Sequence, residues 1–406
     1  MTRSRRKILF VAEAVTLAHV VRPLVMASSL NHDDYDVHIA TASGFEFCYR
    51  NNDFPHWNIN SISPERFMAA LASGKPLYDF PTLKAYAEEE LELFDKVNPD
   101  IVVGDFRLSL AVSAVTRKIP YVATVNAHWS PYSAFERFPV PDLPAVRLFG
   151  EKLVAAVFHR FQPVIFATHA RPLNRLRKAY GLKPLGDLRC AYTWGDQTLY
   201  LDAPQLVPTR NLPPNHHYVG PAIWSPDTPL PEWWDNLESA TPCVYVTLGS
   251  SGAIDLLPLV IEILGNMPVN VLLATAGRSK LLDVPGNVRC SDYLPGSDAA
   301  QRSALVVCNG GSATVYQALA KGVPVLGIAS NMDQHLTMAC VEQVGAGISV
   351  RSDAASPRLI EQKLQTLLAD HRYLAAARQV QEWFEEYQLE RRFPQFLDWF
   401  SGSDQH

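Results

Sequence analysis

A chain of 406 residues with 48% hydrophobic and 19% charged side chains has the composition of a globular protein, which excludes a disordered or fibrous chain. At about 100 to 200 residues per domain, this length predicts two domains. The formal net charge of -5 at pH 7 supplies no basic field for phosphates, so no nucleic-acid partner is expected.

The six cysteines form no Cys-x-x-Cys pair and no Cys/His pattern typical of zinc sites, which predicts a protein of the reduced cytoplasm. No apolar run reaches the roughly 18 residues that cross a bilayer, so no transmembrane segment is expected. A peripheral contact with a membrane surface stays compatible with this composition. Glu13 and His19 interrupt the apolar start of the chain, which favours a buried strand over a signal peptide.

Short apolar runs alternate with helical patterns through the first half of the chain. The predicted elements are a strand over 7–12, a helix near 23–30, a strand over 37–40, a helix over 82–97, a strand over 101–103, a helix from 108 and a strand over 121–124. This alternation is typical of a doubly wound parallel sheet.

A proline-rich stretch near 219–231 separates this half from a second alternating pattern. The second pattern predicts strands over 243–248, 271–275, 305–308 and 323–328, helices over 256–264 and 313–320, and further helices from about 357. We therefore predict an α/β protein with a Rossmann-like domain over 1–222, a linker over 223–240 and a second Rossmann-like domain over 241–406. The last ~20 residues are expected to pack back on the first domain. Ligands of such sheets bind at the carboxyl ends of the strands.

The predicted strand over 305–308 runs directly into Asn309-Gly310-Gly311-Ser312-Ala313-Thr314, and a helix follows. Glycines let the backbone approach an anion closely, and the first amides of a helix offer it hydrogen bonds. This pattern predicts a phosphate site, with a plain strand-to-helix corner as the alternative. Asp333-Gln334 opens the next helix, where the two side chains can bind vicinal sugar hydroxyls or simply cap the helix.

The segment from Cys308 to Val350 resembles the donor-binding signature of the UDP-glucuronosyltransferase and macrolide-glycosyltransferase superfamily. It contains the Gly-Gly, Gly-Val-Pro, Asp-Gln and Gly-x-Gly motifs of that signature in the same order. The resemblance implies a GT-B fold, in which two Rossmann-like domains face each other across a cleft. It also implies a nucleotide-sugar-dependent hexosyltransferase that uses no cofactor and no metal. Further similar segments imply donor-phosphate contacts from Gly249, Ser250 and Ser251, and a nucleobase contact from the backbone near Leu294.

Two segments of the first half are similar to the catalytic segments of that superfamily. Ala18 to Leu24 is similar to its Gly-His-x-x-Pro loop, and Pro99 to Phe106 is similar to the strand whose terminal aspartate orients the histidine. The resemblance implies His19 as the base of an inverting transfer and Asp105 as its orienting partner. A neutral imidazole can take the acceptor proton while a carboxylate fixes its tautomer.

The chain departs from the superfamily pattern at two places. Asn309 replaces the histidine that contacts the donor phosphate, and the loop after Ala18 has one extra residue before Pro23. These changes keep open a catalytically inactive protein that binds sugar nucleotides and serves as a partner. A serine hydrolase is a more remote alternative, because the Gly-Gly-Ser turn imitates a nucleophile elbow.

A segment over 126–144 is dense in aromatic residues and proline and follows a predicted strand. Four of its side chains can wall the site of a small or lipid-like, partly apolar acceptor: Trp129, Tyr132, Phe135 and Phe138. A loop packed on its own domain is the alternative. Asp34-Tyr35-Asp36 spells the Asp-x-Asp of metal-dependent glycosyltransferases, but its setting between a helix and a strand favours a solvated turn.

Overall fold

The computed structural model describes residues 5–50, 52–135, 137–237, 240–278 and 284–403. It divides the chain into two compact units. Unit 1 contains Met1–Glu136, Ala156–Ala222 and Tyr387–His406, and unit 2 contains Arg137–Ala155 and Ile223–Glu386. The two units are therefore not divided by a single boundary near residue 222. Arg137–Ala155 precedes that boundary but belongs to unit 2, and Tyr387–His406 follows it but belongs to unit 1.

The strands and helices are numbered along the chain. The described strands are β1 (Arg6–Ala12), β2 (Tyr35–Thr41), β3 (His56–Asn58), β4 (Ile101–Asp105), β5 (Tyr121–Val125), β6 (Gln197–Tyr200), β7 (His216–Tyr218), β8 (Cys243–Thr247), β9 (Asn270–Ala274), β10 (Val288–Ser291), β11 (Leu305–Cys308), β12 (Val325–Ala329) and β13 (Gly347–Arg351). The described helices are α1 (Leu17–Ser28), α2 (Pro64–Ser73), α3 (Phe80–Val97), α4 (Leu110–Arg117), α5 (Pro144–Phe149), α6 (Glu151–Ala179), α7 (Leu188–Tyr192), α8 (Leu257–Gly265), α9 (Gly296–Gln301), α10 (Ser312–Leu319), α11 (Met332–Gln343), α12 (Pro357–Ala369), α13 (His371–Glu386) and α14 (Leu389–Ser403).

Unit 1 is built on a parallel sheet with the strand order β3-β2-β1-β4-β5-β6-β7. Its central strands are buried on both faces, and the β1 residues from Ile8 to Ala12 are each at most 1% exposed. Double burial explains why these strands read as continuous apolar runs. The last helix, α14, belongs to this core, because the buried ring of Phe393 lies 6.0 Å from the ring of Phe10.

Unit 2 repeats the plan with the parallel order β10-β9-β8-β11-β12-β13. Every residue of β11 is fully buried. The fold class predicted from the sequence, α/β with two doubly wound sheets, is confirmed. Among the described residues, no helix combines the length and apolar character needed to cross a membrane.

Each sheet has a point where the chain changes its direction of winding. In unit 1 this switch lies between β1 and β4, and in unit 2 it lies between β8 and β11. Loops that leave two such neighbouring strands diverge to opposite faces of the sheet, and the crevice between them is the usual ligand site of an open parallel sheet. The predicted base and its aspartate follow the first pair of strands, and the predicted phosphate loops follow the second pair.

Candidate active site

His19 and Asp105 meet at the switch point of unit 1. His19 is the third residue of α1, and Asp105 is the last residue of the neighbouring strand β4. Nδ1 of His19 lies 2.6 Å from Oδ1 of Asp105, with the carboxylate side chain 1% exposed and the imidazole 17% exposed. The structure thus brings the two predicted catalytic residues together, and it leaves Nε2 of His19 without a hydrogen bond to any described residue.

The histidine segment is helical rather than the loop that the family motif predicts. Residues from Leu17 onward already belong to α1, and Pro23 lies inside the helix. Proline has no N–H for the carbonyl four residues earlier, which here is the carbonyl of His19. The extra residue between His19 and Pro23 is therefore accommodated within the first two turns of a helix.

The sequence did not predict the residues that hold Asp105 from its other side. Thr124 Oγ1 donates to Asp105 Oδ2 at 2.8 Å, and Arg22 Nη1 lies 3.9 Å from the same oxygen. Arg22 Nη2 also donates to Asn126 Oδ1 at 2.5 Å. Thr124 is the register partner of Asp105 on the adjacent parallel strand, so strand pairing was the signal that could have identified it.

Half-buried aromatic rings line the region beside the imidazole. The Phe106 ring stacks on His19 with centroids 4.5 Å apart and planes 10° apart. Tyr192 lies edge-on to Phe106 at 5.2 Å, and Trp129 lies edge-on to Tyr192 at 5.2 Å. We call Phe106, Tyr192 and Trp129 the aromatic wall. It gives unit 1 an apolar surface directly beside the predicted base.

Of the four predicted acceptor residues, only Trp129 belongs to the aromatic wall. Tyr132 packs edge-on against His216 with ring centroids 5.3 Å apart, and Phe135 is half-buried. Phe138 is 1% exposed and belongs to unit 2. The burial of Phe138 fits the alternative of a loop packed on protein, and the acceptor roles of the four residues stay predictions.

Two loops meet at the switch point of unit 2 through Asn309. Its Nδ2 donates to Ser251 Oγ at 3.2 Å, and its Oδ1 accepts from the Gly311 amide at 3.1 Å. The residue that replaces the family histidine thus organises the loops after β8 and β11. The Gly310 amide contacts Cys308 Sγ at 3.3 Å, so the first turn of α10 with Ala313 and Thr314 supplies the amides best placed by position for an anion.

Asp333 and Gln334 occupy different environments at the start of α11. Gln334 is 2% exposed and completes a capping box with Asn331. The backbone N–H of Gln334 donates to Asn331 Oδ1 at 3.1 Å, and the side-chain Oε1 of Gln334 accepts from the backbone N–H of Asn331 at 3.4 Å. Its Nε2 also lies 3.4 Å from Ser251 Oγ. The capping alternative is therefore realised by Gln334, while the half-buried Asp333 side chain belongs to the first turn. Their sugar contacts stay predictions.

The remaining predicted donor residues lie in the loop after β8 and in the segment before α9. Ser250 is exposed, and Gly249, the second residue after β8, adopts a left-handed φ of 57°. Leu294 is buried as a whole residue, with 2% of its surface exposed. These contacts stay predictions.

An ion-pair cluster around Asp142 was not predicted. Asp142 accepts from His335 Nε2 at 2.9 Å, from Ser352 Oγ at 2.7 Å and from the Asp353 amide at 2.9 Å, and Arg351 Nη2 lies 2.8 Å away. Burial alone would raise the pKa of Asp142, but the hydrogen bonds from His335 and Ser352 and the charge of Arg351 lower it below its ordinary value. His335 directly follows Gln334 in α11. Its contact with Asp142 therefore holds the segment Arg137–Ala155 next to the predicted sugar-binding residues of unit 2.

The lowered pKa of Asp142 predicts a pH-dependent contribution to the stability of unit 2. A carboxylate with a lowered folded-state pKa stabilises the fold above its unfolded pKa, near 3.8, and loses this contribution as pH falls through the folded value. Asp142→Asn should therefore lower the free energy of unfolding by about 2 kcal/mol near neutral pH. The deficit should shrink below about pH 4. Urea titrations at both pH values measure it, and a pH-independent deficit would contradict the assignment.

Gly310→Ala is expected to disrupt the predicted phosphate loop. Gly310 has a φ of 77°, and an added Cβ would lie 2.7 Å from Met338 Cγ. We expect at least a roughly tenfold weaker affinity for nucleoside diphosphates, measured by calorimetry, because shifting the loop misplaces its hydrogen-bond donors. Gly181→Ala is the matched control, since Gly181 has a φ of 74° and no atom within 4 Å of the added Cβ. Equal affinities in both variants would remove Gly310 from the donor site.

The Asp-x-Asp segment makes local contacts. Asp34 accepts from Asn31 Nδ2 at 2.7 Å in the turn before β2, whereas Asp36 already belongs to that strand and lies 3.4 Å from His38 Nε2. Within the part of the chain that the structure describes, no group of three or more histidine, cysteine or carboxylate side chains could hold a metal. Metal independence of the reaction stays a prediction.

Comparisons with known proteins identify the family and the fold. The model of the family described as Erythromycin biosynthesis protein CIII-like, C-terminal domain, matches residues 258–386. The solved structure of the spinosyn rhamnosyltransferase SpnG complexed with thymidine diphosphate superposes with a TM-score of 0.67 at 17% identity, covering 94% of this chain and 96% of that chain. This likeness identifies the GT-B fold.

Closer relatives come from mycobacteria. A PGL/p-HBAD biosynthesis glycosyltransferase of Mycobacterium tuberculosis (strain ATCC 25177 / H37Ra) is 47% identical over 94% of this chain and 89% of its own length. A PGL/p-HBAD biosynthesis rhamnosyltransferase of Mycobacterium bovis (strain BCG / Pasteur 1173P2) is 47% identical over 97% of this chain and 87% of its own length. An inactive PGL/p-HBAD biosynthesis glycosyltransferase of the same strain is 47% identical over 64% of this chain and 71% of its own length. The chain therefore belongs to the family of these PGL/p-HBAD biosynthesis glycosyltransferases, within the superfamily of GT-B macrolide glycosyltransferases, and is a nucleotide-sugar-dependent glycosyltransferase.

Proposed function

We propose that this enzyme transfers a sugar from a nucleoside diphosphate to a hydroxyl of a partly apolar acceptor, with inversion at the anomeric carbon and without a metal ion. The observation that carries the proposal is the 2.6 Å contact between His19 Nδ1 and the buried carboxylate of Asp105. With the carboxylate as the acceptor in this contact, the imidazole would carry its proton on Nδ1. Nε2 is then the basic nitrogen that can accept the proton of an acceptor hydroxyl.

The reaction balances as a single in-line displacement. The acceptor oxygen forms a bond to the anomeric carbon on the face opposite the diphosphate, while the bond from that carbon to the phosphate oxygen breaks. The acceptor proton moves to His19 Nε2, and the electron pair leaves with the diphosphate. The positive end of α10, with the amides of Ala313 and Thr314, and the hydroxyls of Ser250 and Ser251 would stabilise the charge that develops on this leaving group.

A rhamnose carried by thymidine diphosphate is the first donor to test. One group of relatives at 47% identity is named rhamnosyltransferase, and the similar solved structure was determined with thymidine diphosphate. Asp333 would bind the sugar hydroxyls. Gln334 would act mainly by holding Ser251 in the predicted donor loop after β8, because its Nε2 lies 3.4 Å from Ser251 Oγ.

The aromatic wall favours an acceptor whose reactive hydroxyl is attached to an apolar or aromatic body. Flat rings offer such a body a large contact area at little cost in conformational entropy, and stacking on them orients its edge. The stack of Phe106 on His19 places this surface within 4.5 Å of the imidazole. An acceptor that packs on the wall would thus present its hydroxyl to Nε2.

The alternative of a catalytically inactive partner protein gains weight from the inactive relative. In this chain the intact contact between His19 and Asp105 supports activity instead. The serine hydrolase alternative is set aside, because the relatives identify a glycosyltransferase.

Turnover with purified enzyme tests the proposal. TDP-rhamnose and UDP-glucose are each incubated with simple phenols that carry alkyl chains of increasing length, and the released nucleoside diphosphate is measured. We expect product whose anomeric configuration by NMR is opposite to that of the donor, formed equally well in excess EDTA. Retained configuration would exclude the displacement, loss of activity in EDTA would exclude metal independence, and binding of donors without any transfer would favour the inactive alternative.

A further inference from the structure

One face of α6 in unit 1 is apolar and exposed in its first part. Val157, Phe161 and Val164 are 53%, 53% and 59% exposed. Their spacing of four and three residues places them on a single helix face. Residues on this face of a surface helix are ordinarily polar, since the opposite stripe faces the core. Here Phe158 and Phe166 supply the buried contacts instead.

The same face becomes basic in the second part of the helix. Arg171, Arg175 and Lys178 continue the spacing of four and three residues and are exposed. They line an open groove of about 1030 Å³ between α6 and the segment that joins α2 to α3, and Arg66 and Lys75 line it from the other side. The lining includes five cationic side chains and one carboxylate, Asp79, in a chain whose net charge is -5.

We propose that this face of α6 and its groove form a docking surface for a membrane that contains anionic phospholipids. Apolar side chains on one face of a helix insert shallowly into the boundary between headgroups and acyl chains, and cations nearby attract acidic headgroups. The groove would receive the phosphate of a headgroup, while Val157, Phe161 and Val164 would enter the boundary. The surface belongs to unit 1, and it is distinct from the aromatic wall and from the predicted donor loops.

Charge distinguishes this occupant from two others. Free phosphate would account for the groove but not for the apolar residues that precede it on the same face. A second copy of the chain paired through this face would bring its own five cations close to these five, and like charges destabilise such a contact. An anionic bilayer accounts for both parts of the surface, since its headgroups attract the cations of the groove and its acyl chains accommodate the exposed apolar side chains.

Vesicle co-sedimentation of the 406-residue enzyme tests the proposal. Vesicles of phosphatidylglycerol mixed with phosphatidylcholine are compared with vesicles of phosphatidylcholine alone, at low and high salt. The first variant is Arg171→Glu/Arg175→Glu/Lys178→Glu, and the second is Val157→Ser/Phe161→Ser. The matched control is Lys96→Glu/Arg358→Glu/Arg391→Glu, which reverses three exposed cations outside this surface. Thermal unfolding and turnover with a water-soluble acceptor confirm that each variant is folded.

We expect binding to the anionic vesicles that weakens with salt, and a loss of at least about 100-fold in the charge-reversed variant, since each cation near the surface contributes about fivefold. The serine variant should also bind more weakly, whereas the control should bind like the unmodified enzyme. Equal binding to both vesicle types, or equal loss in the control, would overturn the proposal. Binding of inorganic phosphate to the groove, without any binding of the enzyme to vesicles, would instead assign the groove to a free anion. A dimer in gel filtration that the serine variant dissociates would assign the apolar residues to a second copy.

Discussion

His19→Ala should lower kcat by about 100- to 10,000-fold while leaving the affinity for the donor unchanged. The variant removes the group proposed to accept the proton from the attacking hydroxyl. The predicted donor loops lie in unit 2, whereas His19 lies in unit 1, so binding of the nucleoside diphosphate should survive. Single-turnover rates with saturating donor measure the first effect, and thermal shift with the free nucleoside diphosphate measures the second.

Two further variants separate catalysis from general damage. Asp105→Asn should lower kcat by a similar factor, because the amide leaves the tautomer and charge of the imidazole unsupported. His371→Ala replaces an exposed histidine of unit 2 and should match the unmodified enzyme. Unchanged turnover in His19→Ala would remove the base from the mechanism. A simultaneous loss of donor binding would instead point to misfolding.

The sequence predicted the central strands because burial on both faces produces unbroken apolar runs. The strand over 305–308 was placed with the bounds that the structure shows, and β1 begins one residue earlier than predicted. The interior strand β6 and the edge strands of both sheets were not predicted. The edge strands β3 and β7 have only three residues each and contain polar side chains such as His56 and His216. A short, half-exposed strand is defined by its pairing and not by its composition.

The contact between His19 and Asp105 could be anticipated because a family motif names both residues, but the surroundings of this pair depend on contacts that are distant in sequence. Thr124 reaches Asp105 only through the register of β4 and β5. Asp142 and Arg351 are 209 residues apart in the chain and meet where β13 ends. The left-handed φ of 56° at Phe106 was equally hidden, because nothing in a phenylalanine predicts it.

A buried ionic network fixes Arg107, the residue that follows Phe106 in the chain. Arg107 is completely buried, and its guanidinium contacts Glu13 Oε2 at 2.9 Å and Glu90 Oε1 at 2.7 Å. It also lies 3.6 Å over the centroid of the Tyr86 ring. The sequence showed Glu13 only as an interruption of an apolar strand. Burial raises the pKa of Glu90, although Arg107 and two serine hydroxyls oppose the shift.

Arg107→Met should therefore destabilise unit 1 by about 3–5 kcal/mol, because it leaves two carboxyl groups buried without their cation. The deficit should shrink as pH falls from about 7 to about 5. Burial already raises the pKa of Glu90, and loss of the Arg107 charge that opposes this shift should raise that pKa further, so protonation of Glu90 at acidic pH relieves more of the penalty in the variant than in the unmodified enzyme. Chemical unfolding at both pH values measures the change.

Two comparisons identify buried charge as the cause. Arg107→Met/Glu90→Gln should recover part of the loss, since the double variant removes one of the two uncompensated carboxylates. Arg117→Met breaks the exposed pair with Asp95, whose side chains are 41% and 62% exposed, and should cost no more than about 1 kcal/mol. Equal losses at Arg107 and Arg117 would rule out the burial argument.

The network also connects stability to catalysis through one strained residue. Phe106 lies between Asp105, which is fixed by β4, and Arg107, which is fixed by its ion pairs. A non-glycine residue keeps a left-handed conformation only where its neighbours hold it there, and this one stacks on His19. Folded Arg107→Met enzyme should thus show a lower kcat than the unmodified enzyme, whereas folded Arg117→Met enzyme should not. A full kcat in folded Arg107→Met would limit the network to stability.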